Sequence, residues 1–169
     1  MPIKPILLLG NPDLYKISEE VKDDELKAMA AVVTDLHDSM MDFRKRYGCG
    51  RGIAAPQIGV FKRLVYLHID KPLVYVNPVL YNGSGEMIEL WDNCMSFPEI
   101  LVRIRRHKTI RINYRDLDWN EHSELLEGDM SELLQHEVDH LDGILAIKRA
   151  IDHQSFALKR EREQELAGK

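Results

Sequence analysis

Two histidines stand four positions apart in the segment Gln135-His136-Glu137-Val138-Asp139-His140. Because four residues make just over one helical turn, both imidazoles would lie on one face of a helix and could bind one metal ion. Glu137 lies at the rim of that face, where its carboxylate could act as general base on a water held by the metal. The alternative is a pair of surface histidines on an ordinary amphipathic helix.

The residues around this segment favour a helix. Apolar side chains recur at spacings of three and four, and the pattern ends near Asp142-Gly143. The apolar positions are Met130, Leu133, Leu134, Val138 and Leu141. The sequence therefore predicts that both histidines share a helix.

A catalytic metal with three protein ligands and one open position needs one further donor. We expect it to be Cys94, whose thiolate would stand among polar residues where a strand pattern breaks. The alternatives, His153 and Glu161, lie beyond Gly143 in a charged tail. The other cysteine, Cys49, stands between two glycines with no other metal-binding residue type close by, so we interpret it as packing.

Composition indicates a soluble globular protein of one domain, residues 1–169, with 44% hydrophobic and 30% charged residues. The net charge of -5 argues against stable nucleic-acid binding. We assign the short basic run Arg103, Arg105, Arg106 and Lys108 to a strand that pairs with acidic neighbours. No apolar run reaches the roughly 20 residues of a membrane span, and the first residues lack a signal-peptide layout. We therefore expect a cytoplasmic protein that does not bind membranes, in which a disulfide is unexpected.

The order of elements predicts an α+β fold. An extended segment over 6–9 precedes a long amphipathic helix that begins near Asp23 or Asp24 and ends at Gly48. Strand patterns cover 63–69, 73–81, 86–91, 101–106, 109–114 and 123–126, with a polar interruption at 92–98. The histidine helix follows, and the charged tail 152–166 is predicted to be a marginal helix. We expect mainly antiparallel sheets packed around the central metal-binding helix, flanked by an N-terminal and a C-terminal helix.

Glycines 48, 50 and 52 alternate before an apolar stretch that contains one polar residue, Gln57. No preceding strand or following lysine supports a nucleotide-binding loop. Small residues do allow close approach of the backbone to a ligand. For Gln57, the alternative is a structural amide satisfied by backbone.

Three segments together resemble the motifs of the peptide deformylases, and they occur in that family's order. They are Gly52-Ile53-Ala54-Ala55-Pro56-Gln57, Cys94-Met95-Ser96 and Gln135-His136-Glu137-Val138-Asp139-His140. The segment Leu9-Gly10-Asn11-Pro12-Asp13-Leu14 also resembles the family's N-terminal segment. The similarity runs from about residue 6 to residue 149, which is nearly the whole chain.

The resemblance implies removal of the N-formyl group from the N-terminal methionine of nascent polypeptides, with formate as product. Cys94, His136 and His140 would bind the metal, which in this family is typically ferrous iron, with zinc, nickel or cobalt as substitutes. Glu137 would carry the proton of the attacking water to the leaving amine. The partners implied are an N-formylated peptide and, transiently, the ribosome. The side-chain amide of Gln57 and the backbone N–H of Met95 would bind the developing oxyanion.

The second motif departs from the family's usual Glu-Gly-Cys-Leu-Ser. Here it reads Asp92-Asn93-Cys94-Met95-Ser96. Asn tolerates a positive φ, and Met leaves the backbone N–H in place. Because Asp92 is shorter than the family's glutamate, we expect a stretched or re-routed ion pair with Arg106 rather than a lost metal.

The predicted substrate pocket departs further. Gly52 and Ile53 are candidate substrate-binding residues. Asp129, Glu132 and Leu133 should share the face of His136, where the family has apolar residues that help form the pocket for the methionine side chain. Either Glu132 turns outward or pairs with an arginine such as Arg103, or the substrate carries a polar or cationic group.

Three functions follow from these observations. The first is a deformylase that acts on nascent chains. The second is a related amidohydrolase that acts on another N-formyl or N-acyl substrate with a polar or cationic side group. The third is a catalytically inactive metal-binding protein.

Overall fold

The computed structural model describes residues 3–162, which form an α+β fold with mainly antiparallel sheets. Its two α-helices are α1 (Leu26–Tyr47) and α2 (Gly128–Leu141). The strands of the described chain are β1 (Gly52–Ala54), β2 (Leu64–His68), β3 (Pro72–Tyr81), β4 (Met87–Cys94), β5 (Phe97–His107), β6 (Thr109–Arg115), β7 (Glu121–Glu127) and β8 (Phe156–Leu158). Neither helix combines the length and apolarity that a membrane crossing requires.

Two antiparallel sheets enclose α2. One sheet has the order β1-β2-β3-β6-β7 and the other the order β4-β5-β8. The side chains of Leu133, Leu134 and Leu141 pack with strands of the first sheet, while α2 also contacts β5 of the second. Every residue of α2 from 131 to 141 is buried. The prediction that the histidine helix packs into the sheets is therefore confirmed.

Helix α1 covers the first sheet near β1. Its apolar stripe, which includes Leu36, Met40 and Phe43, packs in one core cluster with Ile53 of β1. The helix ends where Gly48 adopts a left-handed conformation, with φ of 72°. These features confirm the predicted helix and its glycine stop.

One expectation about the strands was wrong in extent. The polar interruption predicted over 92–98 is only a two-residue turn, because β4 continues through Cys94 and β5 begins at Phe97. A shift of register between Asn93 and Cys94 absorbs the irregularity without ending the strand. As a result, Cys94 is held on the sheet rather than on a loop.

The tail was predicted as a helix, and this prediction was wrong for its described part. Phe156–Leu158 forms β8, which pairs with residues 100–102 of β5, and Lys159–Glu161 makes one 3-10 turn. The tail has no apolar helical face, whereas β5 offers unpaired backbone groups that a strand can satisfy. The remainder of the predicted helix, beyond residue 162, lies outside the described residues.

The basic run of β5 pairs with acidic neighbours, as expected. Glu89 on the adjacent strand β4 accepts from Arg105 at 3.3 Å and lies 3.6 Å from Arg103. Glu86 pairs with Lys108 at 2.8 Å. These charges are therefore partnered within the hairpin.

Gly143 follows α2 and packs against the backbone of Tyr15 in the N-terminal part of the chain. Substitution of this glycine tests that packing. Gly143 has φ of +67°, and a Cβ there would collide with the backbone carbonyl of Tyr15. Gly143→Ala should cost both the left-handed strain and a backbone displacement, about 3 kcal/mol of unfolding free energy or more.

Gly48→Ala is the matched control for this substitution. Gly48 has φ of +72°, and no heavy atom lies within 4 Å of the place that an added Cβ would occupy. It should therefore lose only about 1–2 kcal/mol from backbone strain. Urea unfolding of both variants measures the difference, and equal losses would show that Tyr15 does not constrain this turn.

Candidate metal centre

Cys94, His136 and His140 converge at one buried point between the two sheets. Sγ of Cys94 lies 3.2 Å from Nε2 of His140, which lies 3.2 Å from Nε2 of His136. The three donor atoms all lie within 4.8 Å of one another. Ligand bonds of about 2.0–2.3 Å to a single cation produce separations of this size. The donor set therefore fits one transition-metal ion.

A hydrogen bond from β4 orients one of the two histidines. Nδ1 of His136 donates to Oδ2 of Asp92 at 2.7 Å, which turns Nε2 toward Cys94 and His140. Carboxylate partners of this kind fix the ring and increase the basicity of a metal-binding imidazole. Asp92 therefore orients a candidate ligand without belonging to the three-residue donor set.

The predicted re-routing of the Asp92 ion pair is confirmed. Nη2 of Arg106 lies 3.8 Å from Oδ2 of Asp92, while its Nη1 makes a short hydrogen bond with Asp139. Asp139 also pairs with Arg149 at 2.7 Å. The shorter carboxylate of Asp92 thus serves His136, and the Arg106 guanidinium bonds mainly to α2.

Burial and charge shift the pKa values of these groups in opposite directions. Burial alone would raise the pKa of Asp92, but the neighbouring His136 and Arg106 lower it below its usual value. Burial disfavours protonated His136, but the carboxylate of Asp92 raises its pKa well above the usual value. Burial and the facing His136 lower the pKa of His140 well below the usual value. Metal binding at Nε2 of His136 would therefore release a proton.

Glu137 is buried beside the cluster. Burial raises the pKa of its carboxyl group to about 7. Its Oε2 is buried and has no hydrogen-bond partner among the described residues. A Cβ on Gly52 would lie 2.8 Å from Oε1 of Glu137, so only glycine leaves room for this carboxylate. The arrangement suits a carboxylate that receives a proton from a small molecule in the cavity.

Gln57 stands on the 3-10 turn Ala55–Ile58 after β1. Its Oε1 accepts from the backbone N–H of Ala54 at 2.9 Å. Its Nε2 therefore faces the other way, 3.2 Å from Oγ of Ser96 and 3.6 Å from Sγ of Cys94. The backbone satisfies the oxygen of this amide, while its N–H groups lie beside the three candidate metal ligands. Met95, the other predicted oxyanion donor, is buried in the turn after Cys94.

A cavity of about 980 Å³ opens on the cluster. Most of the predicted site residues line it, namely Gln57, Cys94, Met95, His136 and Glu137 together with Gly52, Asp129, Glu132 and Leu133. His140 lies behind this wall, and Asp129 is exposed. Ile53 does not line the cavity, because its side chain is fully buried in the core against α1.

Glu132 pairs with an arginine, as one of the alternatives predicted, but that arginine is Arg51 and not Arg103. Arg103 instead lies near Glu89 and Asp152, on the second sheet. Glu132 does not turn outward, because only 6% of its side chain is exposed. Sequence reasoning missed Arg51, although it is the one charged residue between the glycines of this segment.

Cys49 packs against the core cluster that contains α1 and β1, in agreement with its interpretation as packing. It is half-buried and lines the cavity, with Sγ 3.7 Å from Nζ of Lys159 and 3.8 Å from Nδ2 of Asn93. It contacts none of the three candidate ligands through a hydrogen bond among the described residues. Cys49 is therefore not part of the group formed by the three candidate ligands.

Comparisons with known proteins agree on one family. The sequence model of that family, polypeptide deformylase, matches residues 3–156. A peptide deformylase of Leptospira biflexa is 33% identical over 163 residues, which cover 88% of each chain. The crystal structure of peptide deformylase from Thermotoga maritima aligns with a TM-score of 0.82 and 30% identity, over 90% of this chain and 100% of that one.

A second solved structure holds a peptide. It is a class I type b peptide deformylase from Acinetobacter baumannii, bound to Met-Ala-Ser. It aligns with a TM-score of 0.80 and 27% identity, over 88% of this chain and 98% of that one. The likeness thus extends over the elements that carry the metal cluster and the cavity.

The hydrogen bond between Asp92 and His136 predicts a measurable effect on metal affinity. Asp92→Asn keeps the shape of the side chain but removes the charge that orients and polarises the imidazole. Affinity for Zn²⁺, measured by competition with a chelator, should weaken about 10- to 100-fold. Asp70→Asn is the control, because Asp70 lines the same cavity without a hydrogen bond to a candidate ligand. Equal affinities for the two variants would contradict this role of Asp92.

Proposed function

The chain belongs to the polypeptide deformylase family, and from this premise we infer that it removes the N-formyl group from nascent polypeptides. It is a hydrolase that cleaves the C–N bond of the formyl amide and releases formate and a free amine. The observation that carries this function is the convergence of three candidate metal ligands, an unpartnered carboxylate and an oriented amide on one cavity. Methionine as the first residue of the substrate is part of the proposal.

The family is metal-dependent, and the cluster of Cys94, His136 and His140 is the proposed metal centre. When bound, a divalent cation supplies Lewis-acid activation of water near neutral pH. A soft thiolate with two imidazoles suits iron, zinc or cobalt. We propose ferrous iron as the native ion, with zinc, nickel or cobalt able to replace it.

Glu137 is proposed to move the proton. Its buried, unpartnered Oε2 can accept a hydrogen bond from a water in the cavity, take its proton and later donate it to the leaving amine. Gly52 opposite leaves the space that this carboxylate occupies. A positioned acid-base group of this kind contributes about 10²- to 10⁴-fold to a rate.

Gln57 and Met95 are proposed to stabilise the charge that develops on the formyl oxygen. The bond from Ala54 to Oε1 of Gln57 holds the N–H groups of Nε2 toward the cluster before any substrate arrives. The backbone N–H of Met95 would supply the second donor from the tight turn after Cys94. Donors that are fixed in advance stabilise the charge of the transition state most strongly, because they need no reorganisation during the reaction.

The peptide is proposed to bind along β1. This strand stands at the end of its sheet, so one edge of Gly52–Ala54 has no strand beside it in the described chain. An extended peptide can add to such an edge through main-chain hydrogen bonds. In this arrangement Ile53 would contribute through its backbone and Leu133 through its side chain. Transient association with the ribosome stays a prediction.

The alternative of an inactive metal-binding protein has no support in this site. Both Glu137 and Gln57 lie beside the three candidate ligands. Oε2 of Glu137 has no hydrogen-bond partner among the described residues, and Nε2 of Gln57 is held toward Cys94 and Ser96. A substrate with a different side group is favoured by one observation, the ion pair between Arg51 and Glu132 in the cavity wall.

Removing the carboxylate tests the proposed chemistry. Glu137→Gln should lower formate release from formyl-Met-Ala-Ser by about 10²- to 10⁴-fold without loss of bound metal. The assay is run anaerobically with metal content measured alongside. Glu89→Gln, on the surface of β4, should leave the rate unchanged. The proposed function would be wrong if the metal-loaded native protein released no formate.

The close fit between Gly52 and Glu137 predicts a second effect. Gly52→Ala would place a Cβ 2.8 Å from Oε1 of Glu137 and 2.5 Å from Cδ2 of Leu67. A displacement of the carboxylate by about 1 Å should lower the rate of formate release about 10²-fold. Gly85→Ala is the control, since nothing lies within 4 Å of its Cβ position. A Gly52→Ala variant with the native rate would show that Glu137 need not occupy its present place.

A further inference from the structure

Arg51 and Glu132 form an ion pair in the wall of the cavity, close to the metal cluster. Glu132 precedes His136 by four residues on α2, and one helical turn rises only about 5.4 Å. The carboxylate is nearly enclosed, with 6% of the side chain exposed, while 44% of the Arg51 side chain is exposed. Both residues line the cavity, and the cation is by far the more exposed of the two.

The guanidinium of Arg51 retains unused donors. It has five N–H groups, and within residues 3–162 its side chain hydrogen bonds only to Glu132, through Nη2. The buried carboxylate holds it in place, so the remaining N–H groups stay at the cavity wall. A fixed, partly exposed guanidinium favours a group that accepts hydrogen bonds.

This arrangement decides between the polar substrates that the sequence left open. A cationic side group would meet the exposed guanidinium and would have to displace Arg51 from Glu132. An acceptor group would instead use donors that are free. Glu132 acts as the anchor of Arg51 rather than as a partner for the substrate.

In the proposed reaction, the first side chain of the substrate would lie near this pair. If the formyl carbon lies at the cluster of Cys94, His136 and His140, the adjoining residue must lie against the walls around it. Leu133 and the aliphatic stem of Arg51 can contact the carbons of an unbranched chain. The end of that chain would then reach the guanidinium.

Resting on the proposed function, we propose that Arg51, anchored by Glu132, makes the far end of the first side-chain subsite a hydrogen-bond donor. The subsite accepts formyl peptides whose first side chain is unbranched and ends in an acceptor, in addition to methionine. Methionine sulfoxide has this chemistry and arises by oxidation of methionine itself. Glutamine is a stable probe of similar length.

The test compares four substrates that differ only in the first residue. They are formyl-Met-Ala-Ser and its counterparts with methionine sulfoxide, glutamine or lysine in the first position. In the native protein kcat/KM for the sulfoxide and glutamine peptides should lie within about tenfold of the methionine peptide, with lysine far lower. In Arg51→Ile/Glu132→Leu, discrimination against both acceptor peptides should increase about 10- to 100-fold, because the apolar wall leaves their polar ends unpaired.

A matched control uses another ion pair. Arg115→Ile/Glu121→Leu makes the same chemical changes between β6 and β7, away from the cavity, and should leave the four rates in their native ratio. Should the first double variant not fold, Arg51→Met/Glu132→Met removes the same donors with unbranched side chains closer in shape to the native pair, and it should give the same result.

Binding of product peptides provides a readout independent of turnover. Calorimetry should show Gln-Ala-Ser binding within about tenfold of Met-Ala-Ser in the native protein, and the double variant should lose about 10- to 100-fold for the glutamine peptide alone. The proposal is overturned if native discrimination against glutamine exceeds about 10³-fold, if the double variant leaves it unchanged, or if lysine is preferred. Failure of the proposed function looks different, because the peptides would bind with the expected preference while no formate appeared.

Discussion

The hydrogen bond between Asp92 and His136 joins β4 to α2 in the interior, and the site depends on it. Asp92 stands two residues before Cys94, so one strand supplies both a candidate ligand and the carboxylate that orients a second candidate ligand. Buried charges need partners, and Arg106 satisfies this need by spanning Asp92 and Asp139. The second sheet is thereby attached to the polar side of α2, while the apolar side of the helix packs on the first sheet.

Local patterns were enough to predict α1, α2 and most strands. The spacing of His136 and His140 places both side chains on one face once the helix forms. Cys94 could be predicted as the third candidate donor from its residue type. Long-range pairings were harder, because spacing along the chain does not encode them. The sequence offers several arginines for Glu132, and only the approach of β1 to α2 selects Arg51 over Arg103. The helix prediction for residues 156–158 was wrong because these residues form backbone hydrogen bonds with β5 instead.

The cavity combines two kinds of restraint. Apolar packing of α1 against β1 places the chain from Gly50 to Gln57 beside α2, and the absence of side chains at the glycines lets it come close. Ionisable groups then determine which groups the cavity can bind. Glu137 lines it beside the three candidate ligands, and Arg51 lines another part of its wall. A polar wall costs some affinity for apolar groups but adds direction to binding, since hydrogen bonds depend on angle as well as distance.

The pairing of β8 with β5 has a consequence for solubility. Residues 100–102 lie inside the second sheet only as long as β8 covers them. A chain shortened before residue 156 would present their bare N–H and C=O groups to other molecules, next to an exposed array of apolar side chains that includes Leu9 and Ile17. Such an uncovered strand is a template for self-association. By pairing with β5, the short strand β8 thus protects this edge of the second sheet from self-association.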